Sequence, residues 1–167
     1  MRIISLALLG YLLAGPALAL TAAPPGGPDE GDGATNGTIA APPAGVQFYR
    51  PETTRVPYSQ VVRVGDILYV SGQLGVNQDG KVVGDMGVQA KAAMDNISAA
   101  LGRVGSGMGA VFKCTVMLTD MTQWAAFNQV YVSYFKPDRL PARSAMGVGA
   151  LPLGAGVEVE CWAYAPK

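Results

Sequence analysis

The spacing of apolar residues changes its period repeatedly between residues 61 and 163, and this alternation constrains the fold more than any other feature of the chain. Five stretches have the composition and spacing of β-strands: 61–64, 67–70, 112–118, 142–148 and 157–163. Two stretches repeat apolar residues at helical intervals: 85–104 and 122–134. The order β-β-α-β-α-β-β predicts an α/β (α+β) domain with one mixed sheet and both crossover helices on one face.

Local residue types predict where these elements begin and end. Gly105 is a suitable stop for the first helix, and Thr122 is a candidate cap for the second. In the strand 112–118, Phe112 has the same parity as Cys114, which predicts that both face the helix-covered core.

The face of the sheet opposite the helices is predicted to have no covering layer. Met117, Met146 and several Tyr or Val residues fall on that face. Because a large exposed apolar surface marks an interaction site, the sequence predicts that the domain associates with other copies of itself.

The N-terminal part of the chain reads as an export signal and a tether. Residues 1–19 have a positive Arg2, an apolar run and an Ala-Leu-Ala end that fits the signal-peptidase rule. An uncleaved anchor is the alternative, although a membrane span needs about 20 apolar residues. Residues 20–45 are rich in Pro, Gly, Ala and Thr and predict a flexible linker. The folded domain is therefore expected at 46–167, periplasmic or secreted, with no membrane attachment after cleavage.

Composition disfavours several classes of function. The chain has 12 Lys and Arg against 12 Asp and Glu, and loss of Arg2 with the leader leaves 11 − 12 = −1. Such a chain has no electrostatic field to attract nucleic-acid phosphates, so no nucleic-acid partner is expected. It also has no histidine, which excludes Ser-His-Asp catalysis, Cys-His catalysis and every His-containing metal site.

Arg143 is the first candidate for chemistry, because it lies in an otherwise uncharged stretch that enters a strand. A guanidinium there needs an anion. A substrate carboxylate and an ion pair with Glu158 or Glu160 explain it equally well. These two glutamates share one face of the last strand. One of them is a candidate to transfer protons after a pKa rise from partial burial, and two ordinary solvated carboxylates are the alternative.

Other residues carry weaker signals. Tyr58 lies in a loop before the first strand, and Ser71-Gly72 ends the second, where a glycine lets a ligand approach the backbone. Cys114 and Cys161 both have core-facing parity. Export permits a disulfide, but two buried free thiols are the preferred interpretation.

Five motifs then combine into a family resemblance: Pro57-Tyr58-Ser59-Gln60, Ser71-Gly72-Gln73, Asn128-x-x-Tyr131-x-x-x-Phe135, Pro141-Ala142-Arg143-Ser144 and Val157-Glu158-Val159. In order and spacing they resemble the Rid (YjgF-like) enamine/imine deaminase family over about residues 50–166. The most specific part is the C-terminal signature, in which Arg143 and Glu158 lie 158 − 143 = 15 residues apart.

This resemblance implies a chorismate-mutase-like fold and a homotrimer with an inner barrel of sheets and clefts between subunits. It implies a hydrolase that converts 2-enamino or 2-imino acids to 2-keto acids and ammonia, with a small carboxylate as substrate and no metal or organic cofactor. Arg143 would hold the substrate carboxylate, and Glu158 would position and deprotonate water. The implied cleft-lining residues are Tyr58, Ser71, Gly72 and Asn128.

One position departs from the family pattern. Ala145 stands where the family often has a cysteine, which argues against a thiol-dependent activity. A non-catalytic trimeric module that binds a small carboxylate is the second hypothesis. A ribonuclease or translation inhibitor is the third, and the near-zero charge and the export signal disfavour it.

Overall fold

A computed structural model describes residues 41, 43–51, 56–77 and 79–166. In these residues, six strands form one mixed sheet in the order β1-β2-β3-β6-β4-β5. The strands are β1 (Val46–Tyr49), β2 (Val61–Val64), β3 (Ile67–Leu74), β4 (Val111–Leu118), β5 (Ala142–Gly147) and β6 (Val157–Tyr164). The α-helices are α1 (Met86–Arg103) and α2 (Trp124–Tyr131), and single turns of 3-10 helix lie at Met108–Ala110, Met121–Gln123, Val132–Tyr134 and Pro152–Gly154. The predicted mixed sheet with two helices is confirmed, and β1 is an additional edge strand.

The last strand of the chain lies in the middle of the sheet. β6 pairs antiparallel with both β3 and β4, whereas β4 and β5 pair in parallel through the crossover that contains α2. A residue on β6 is therefore flanked by strands on both sides, and β5 forms one free edge of the sheet.

Both helices cover the same face of the sheet and bury its apolar side chains. α1 begins after Asp85, whose side chain accepts a hydrogen bond of 3.0 Å from the backbone N–H of Val88. It ends before Gly105, which has a φ of +74°. The core between helices and sheet includes the fully buried residues Leu68, Ala93, Met94, Ile97, Leu101, Val116, Phe127, Val157 and Val159.

Two predicted details are wrong. Asp120, not Thr122, caps the turn before α2. Its carboxylate accepts hydrogen bonds from the backbone N–H of Thr122 at 2.9 Å and from its hydroxyl at 2.7 Å. Phe112 is 41 % exposed instead of buried, because the pairing of β4 with β6 is irregular between Val111 and Lys113 and Val111 takes the core-facing place.

The preferred interpretation of the cysteines is also wrong. Cys114 and Cys161 are direct partners in the β4–β6 register, with their Cα atoms 4.1 Å apart, and they form a disulfide that is fully buried. Parity places both side chains on the core side, but only the strand register brings them opposite each other, and a sequence pattern does not supply that register.

The face of the sheet away from the helices exposes large side chains. Met146, Trp162 and Tyr164 are 46 %, 38 % and 53 % exposed, and Trp162 packs edge-on against Tyr69 with ring centroids 4.8 Å apart. This surface has the character that the sequence predicted for an association face.

The predicted signal peptide at 1–19 lies outside the described residues, as does the predicted linker at 20–45 apart from residues 41 and 43–45. Within the described part of the chain, no helix is long and apolar enough to span a bilayer.

Candidate active site

An open cleft of about 510 Å³ contains four of the residues singled out from the sequence. Tyr58, Ser71, Gly72 and Glu158 line it together, and Asn96 contributes from α1. The Asn96 side-chain amide donates to the carbonyl oxygens of Leu74 at 3.4 Å and Val76 at 3.2 Å, and so ties α1 to the end of β3.

A β-bulge shapes the floor of this cleft. β3 has two residues, Ser71 and Gly72, where β6 has only one, Glu160. The bulge brings the Gly72 backbone directly under the Glu158 side chain. A β-carbon at Gly72 would lie 2.8 Å from Cδ of Glu158 and would overlap its Oε1. Only glycine leaves room for the carboxylate in this position.

Side-chain hydrogen bonds hold the bulge in place. The Ser71 hydroxyl donates to the carbonyl oxygen of Ser59 at 2.7 Å, which ties the loop that carries Tyr58 to β3. The Gln73 amide donates to the carbonyl oxygens of Ser71 at 2.8 Å and Gly72 at 3.2 Å. The Ser71 hydroxyl therefore acts first as a structural donor, and the bulge is stabilised from both sides.

The Glu158 carboxylate is in an environment that favours its protonated form. Burial raises the pKa of the Glu158 carboxyl above its ordinary value, and the nearby Glu160 carboxylate raises it further. Among the described residues, no donor forms a hydrogen bond to Glu158. A carboxylate with these properties is a stronger base than a solvated glutamate and is free to accept a proton from bound water.

Arg143 lies in a second cluster, built on α2 and the edge strand β5. Its guanidinium carbon is 4.4 Å from the centroid of the Trp124 ring and 4.6 Å from that of Tyr131. Its Nη1 donates to Oδ1 of Asn128 at 2.8 Å. Two aromatic contacts and one hydrogen bond orient the guanidinium. A guanidinium has five N–H donors, and within the described residues this is the only hydrogen bond that the Arg143 side chain makes, so the other donors remain available to an anion.

The two clusters lie on opposite faces of the sheet within one chain. Arg143 is in register with Cys114, whose side chain points to the helix-covered core, whereas Glu158 is in register with Met117 on the bare face. Strand side chains alternate between the faces. The ion pair of Arg143 with Glu158 or Glu160, one of the two sequence interpretations, is therefore wrong for this chain. The structure brings together Tyr58, Ser71, Gly72 and Glu158, and separately Asn128 and Arg143.

Sequence reasoning did not assign a site role to Trp124, Tyr131 or Gln73. Trp124, Asn128 and Tyr131 are spaced i, i+4, i+7 on α2, which is the spacing of one helix face, and this pattern normally indicates core packing. A polar Asn in the middle of that face was the signal available in the sequence. Nothing in the sequence indicated that the Gln73 amide folds back onto its own strand.

Before any comparison, the fold and the two clusters define a small α/β domain with an arginine held by aromatic rings on one side of its sheet and an open cleft that contains a glutamate on the other. A family model described as endoribonuclease L-PSP matches residues 50–165, more than half of the chain. The chain therefore belongs to this family of YjgF, RidA and RutC proteins.

Individual relatives agree with that assignment. The chain is 42 % identical over 106 residues to the 2-iminobutanoate/2-iminopropanoate deaminase of Mus musculus, across 62 % of this chain and 78 % of that protein. It is 39 % identical over 110 residues to a RutC family protein of Pyrococcus abyssi, and the match covers 65 % of this chain and 86 % of that protein. The structure of RidA from an Antarctic Psychrobacter matches with a TM-score of 0.63 and 35 % identity, across 72 % of this chain and 98 % of that one. The YjgF structure from E. coli also matches with a TM-score of 0.63, at 32 % identity, and the match covers 69 % of this chain and 93 % of that one.

Proposed function

We propose that this protein hydrolyses 2-imino acids, and their 2-enamino tautomers, to 2-keto acids and ammonia. The observation that carries the proposal is the Glu158 carboxylate, which lies over Gly72 in an open cleft with a raised pKa. The mouse relative whose name denotes an imine deaminase supports the same reaction class.

The chemistry needs only a base and an anion clamp. The C2 atom of an imine is already electrophilic, so water can add to it without a metal or a covalent nucleophile. Glu158 takes a proton from the water as its oxygen bonds to C2 and returns that proton to the imine nitrogen. The resulting carbinolamine passes its hydroxyl proton to the nitrogen, again through Glu158. The C–N bond then breaks, and ammonia and the keto acid leave.

The carboxylate of the substrate is assigned to Arg143. Its planar guanidinium is oriented by Trp124, Tyr131 and Asn128, so its free N–H groups form a fork that matches a carboxylate. This arrangement fixes the distance between the imine carbon and the base, which is the main source of rate in a reaction of this kind.

A complete cleft requires two copies of the chain. Because Arg143 and Glu158 lie on opposite faces of one sheet, we assign them to neighbouring subunits, with Tyr58 from the subunit that supplies Glu158. A homotrimer whose bare sheet faces pack together accounts for the exposed Met146, Trp162 and Tyr164. Light scattering of the purified protein tests the trimer.

We also propose that the protein acts in the periplasm or outside the cell. The apolar leader and its cleavage motif support export. The buried Cys114–Cys161 disulfide supports an oxidising compartment as well. Fractionation of cells that express the full chain, with mass spectrometry of the mature N-terminus, tests both the location and the cleavage site.

The decisive experiment measures keto-acid release from an imino acid that an amino-acid oxidase generates in situ. We expect acceleration over spontaneous hydrolysis, loss of it in Glu158→Gln and Arg143→Ala, and its retention in Glu160→Gln. Glu160 is the matched control because it lies on the same strand and face but outside the cleft lining. Equal acceleration by all four proteins would contradict the assignment of Glu158 and Arg143. No acceleration by the well-folded wild type with several imino acids would favour a carboxylate-binding module. Ribonuclease activity that survives Arg143→Ala would favour the reaction in the family's description.

A further inference from the structure

The turn that leads into β6 holds a leucine in a conformation that leucine rarely adopts. Leu153 has a φ of +60° and a ψ of 9°, and it is the one non-glycine residue with a positive φ in the described part of the chain. Its Cβ crowds the backbone there, and a leucine has no short polar side chain to compensate. The turn is closed by hydrogen bonds from Gly154 N to Leu151 O at 3.2 Å and from Ala155 N to Pro152 O at 3.1 Å.

This conformation directs Leu153 to the cleft of Glu158 instead of the core. The residue is 66 % exposed, the largest exposed fraction among the large apolar residues described, and it lines the cleft. Strain of this kind persists where the surrounding structure enforces it, and it concentrates at ligand sites. Here the observed result is an apolar side chain beside the base.

The wall of the cleft near Leu153 is apolar. Leu74, Val76 and Pro152 form this wall, and none of the described residues that line the cleft is a lysine or an arginine. Its ionisable groups are the carboxyl of Glu158 and the phenol of Tyr58. A substrate side chain that points here meets an apolar surface and a nearby negative charge.

We propose that Leu153 determines side-chain specificity, and that this cleft selects imino acids with branched aliphatic side chains over those with acidic ones. The inference rests on the proposed deaminase function and adds the substrate class to it. The carboxylate on C1 is bound by Arg143, so the side chain on C3 extends to the opposite side of the imine and reaches the wall that Leu153 forms. A second carboxylate there would face Glu158, and the described residues of the same chain that line the cleft supply no cation to offset it, since Arg143 of the neighbouring subunit is already paired with the carboxylate on C1.

The test compares two imino acids, one derived from leucine and one from glutamate, each generated by an oxidase. Leu153→Gly removes the side chain and suits the positive φ, so the backbone is preserved, and Leu153→Lys adds a cation at the same place. Leu140→Ala is the matched control, because Leu140 is 52 % exposed and lies outside the cleft.

We expect the wild type to prefer the leucine-derived imine. Leu153→Gly should lower kcat/KM for that substrate about tenfold relative to the glutamate-derived imine, and Leu153→Lys should shift the preference further towards the glutamate-derived imine. An unchanged ratio of the two substrates in both variants overturns the proposal. So does dissociation of the oligomer by Leu153→Gly, which would make Leu153 a subunit contact.

The result is separable from the proposed function. If the wild type accelerates neither substrate, the deaminase proposal fails, and specificity is then read from binding of the keto acids 4-methyl-2-oxopentanoate and 2-oxoglutarate by calorimetry. Tighter binding of the branched acid that Leu153→Lys abolishes supports the role of Leu153 without turnover. Equal binding of the two acids overturns it.

Discussion

Mixed oligomers of two inactive variants should recover activity if, as proposed, the base and the clamp of one chain belong to different clefts. Arg143→Ala subunits keep Glu158, and Glu158→Gln subunits keep Arg143. In a trimer that contains both variants, each cleft joins Arg143 of one subunit to Glu158 of the next. Of its three clefts, one receives both native residues, one receives neither and one receives a single native residue. We expect about one third of wild-type turnover per mixed trimer.

The assay needs oligomers of known composition. The two variants are co-expressed with different affinity tags, and tandem purification retains only oligomers that contain both. Keto-acid release is then compared with the wild type and with each variant alone at equal concentration. Recovery of about one half would indicate a two-fold dimer, since one of its two clefts would be intact. No recovery in verified mixed oligomers would refute the split site and require Arg143 and Glu158 to act within one chain.

Three further predictions follow from the same geometry. Gly72→Ala should lower kcat at least about tenfold with an unaltered fold by circular dichroism, because the added methyl displaces the Glu158 carboxylate; full activity would contradict the close approach. Burial and the Glu160 carboxylate raise the pKa of Glu158. Because the base is protonated and lost as the pH falls through that raised pKa, the acid limb of the pH profile of kcat/KM should lie at a higher pH than the usual pKa of a glutamate. Glu160→Gln should move that limb to lower pH, and an unmoved limb would remove Glu160 as a cause. Reduction of the disulfide, whose cysteines are 47 residues apart, should lower the free energy of unfolding by about 4 kcal/mol in urea titrations, and an unchanged midpoint after verified reduction would contradict that value.

The elements with a long, regular period were predictable from the sequence, and those that depend on pairing were not. α1 follows from its apolar spacing between Asp85 and Gly105. β1 has four residues with no alternation, and it becomes a strand only because β2 offers an unpaired edge. Phe112 was misassigned for a related reason. The pairing of β4 with β6 is irregular between Val111 and Lys113, so the alternation of buried and exposed residues in the rest of β4 does not extend back to Phe112.

The candidate site divides in the same way. Parity on a single strand correctly separated Glu158 and Glu160 from the core-facing residues of β6. Parity carries no information across strands until the register is known. The Cys114–Cys161 disulfide and the impossibility of an Arg143–Glu158 ion pair within the chain both depend on that register.

The separation of Arg143 from Glu158 also explains why neither residue neutralises the other within one chain. A guanidinium and a carboxylate in one cleft of one chain would pair with each other, and such a pair would have to break before either could act. On opposite faces, Arg143 is held by aromatic rings and an amide oxygen, which orient it without neutralising its charge. Glu158 is held over a glycine beside another carboxylate, which keeps it basic. In the proposed oligomer, association would then join two half-sites that are each oriented beforehand within their own chain.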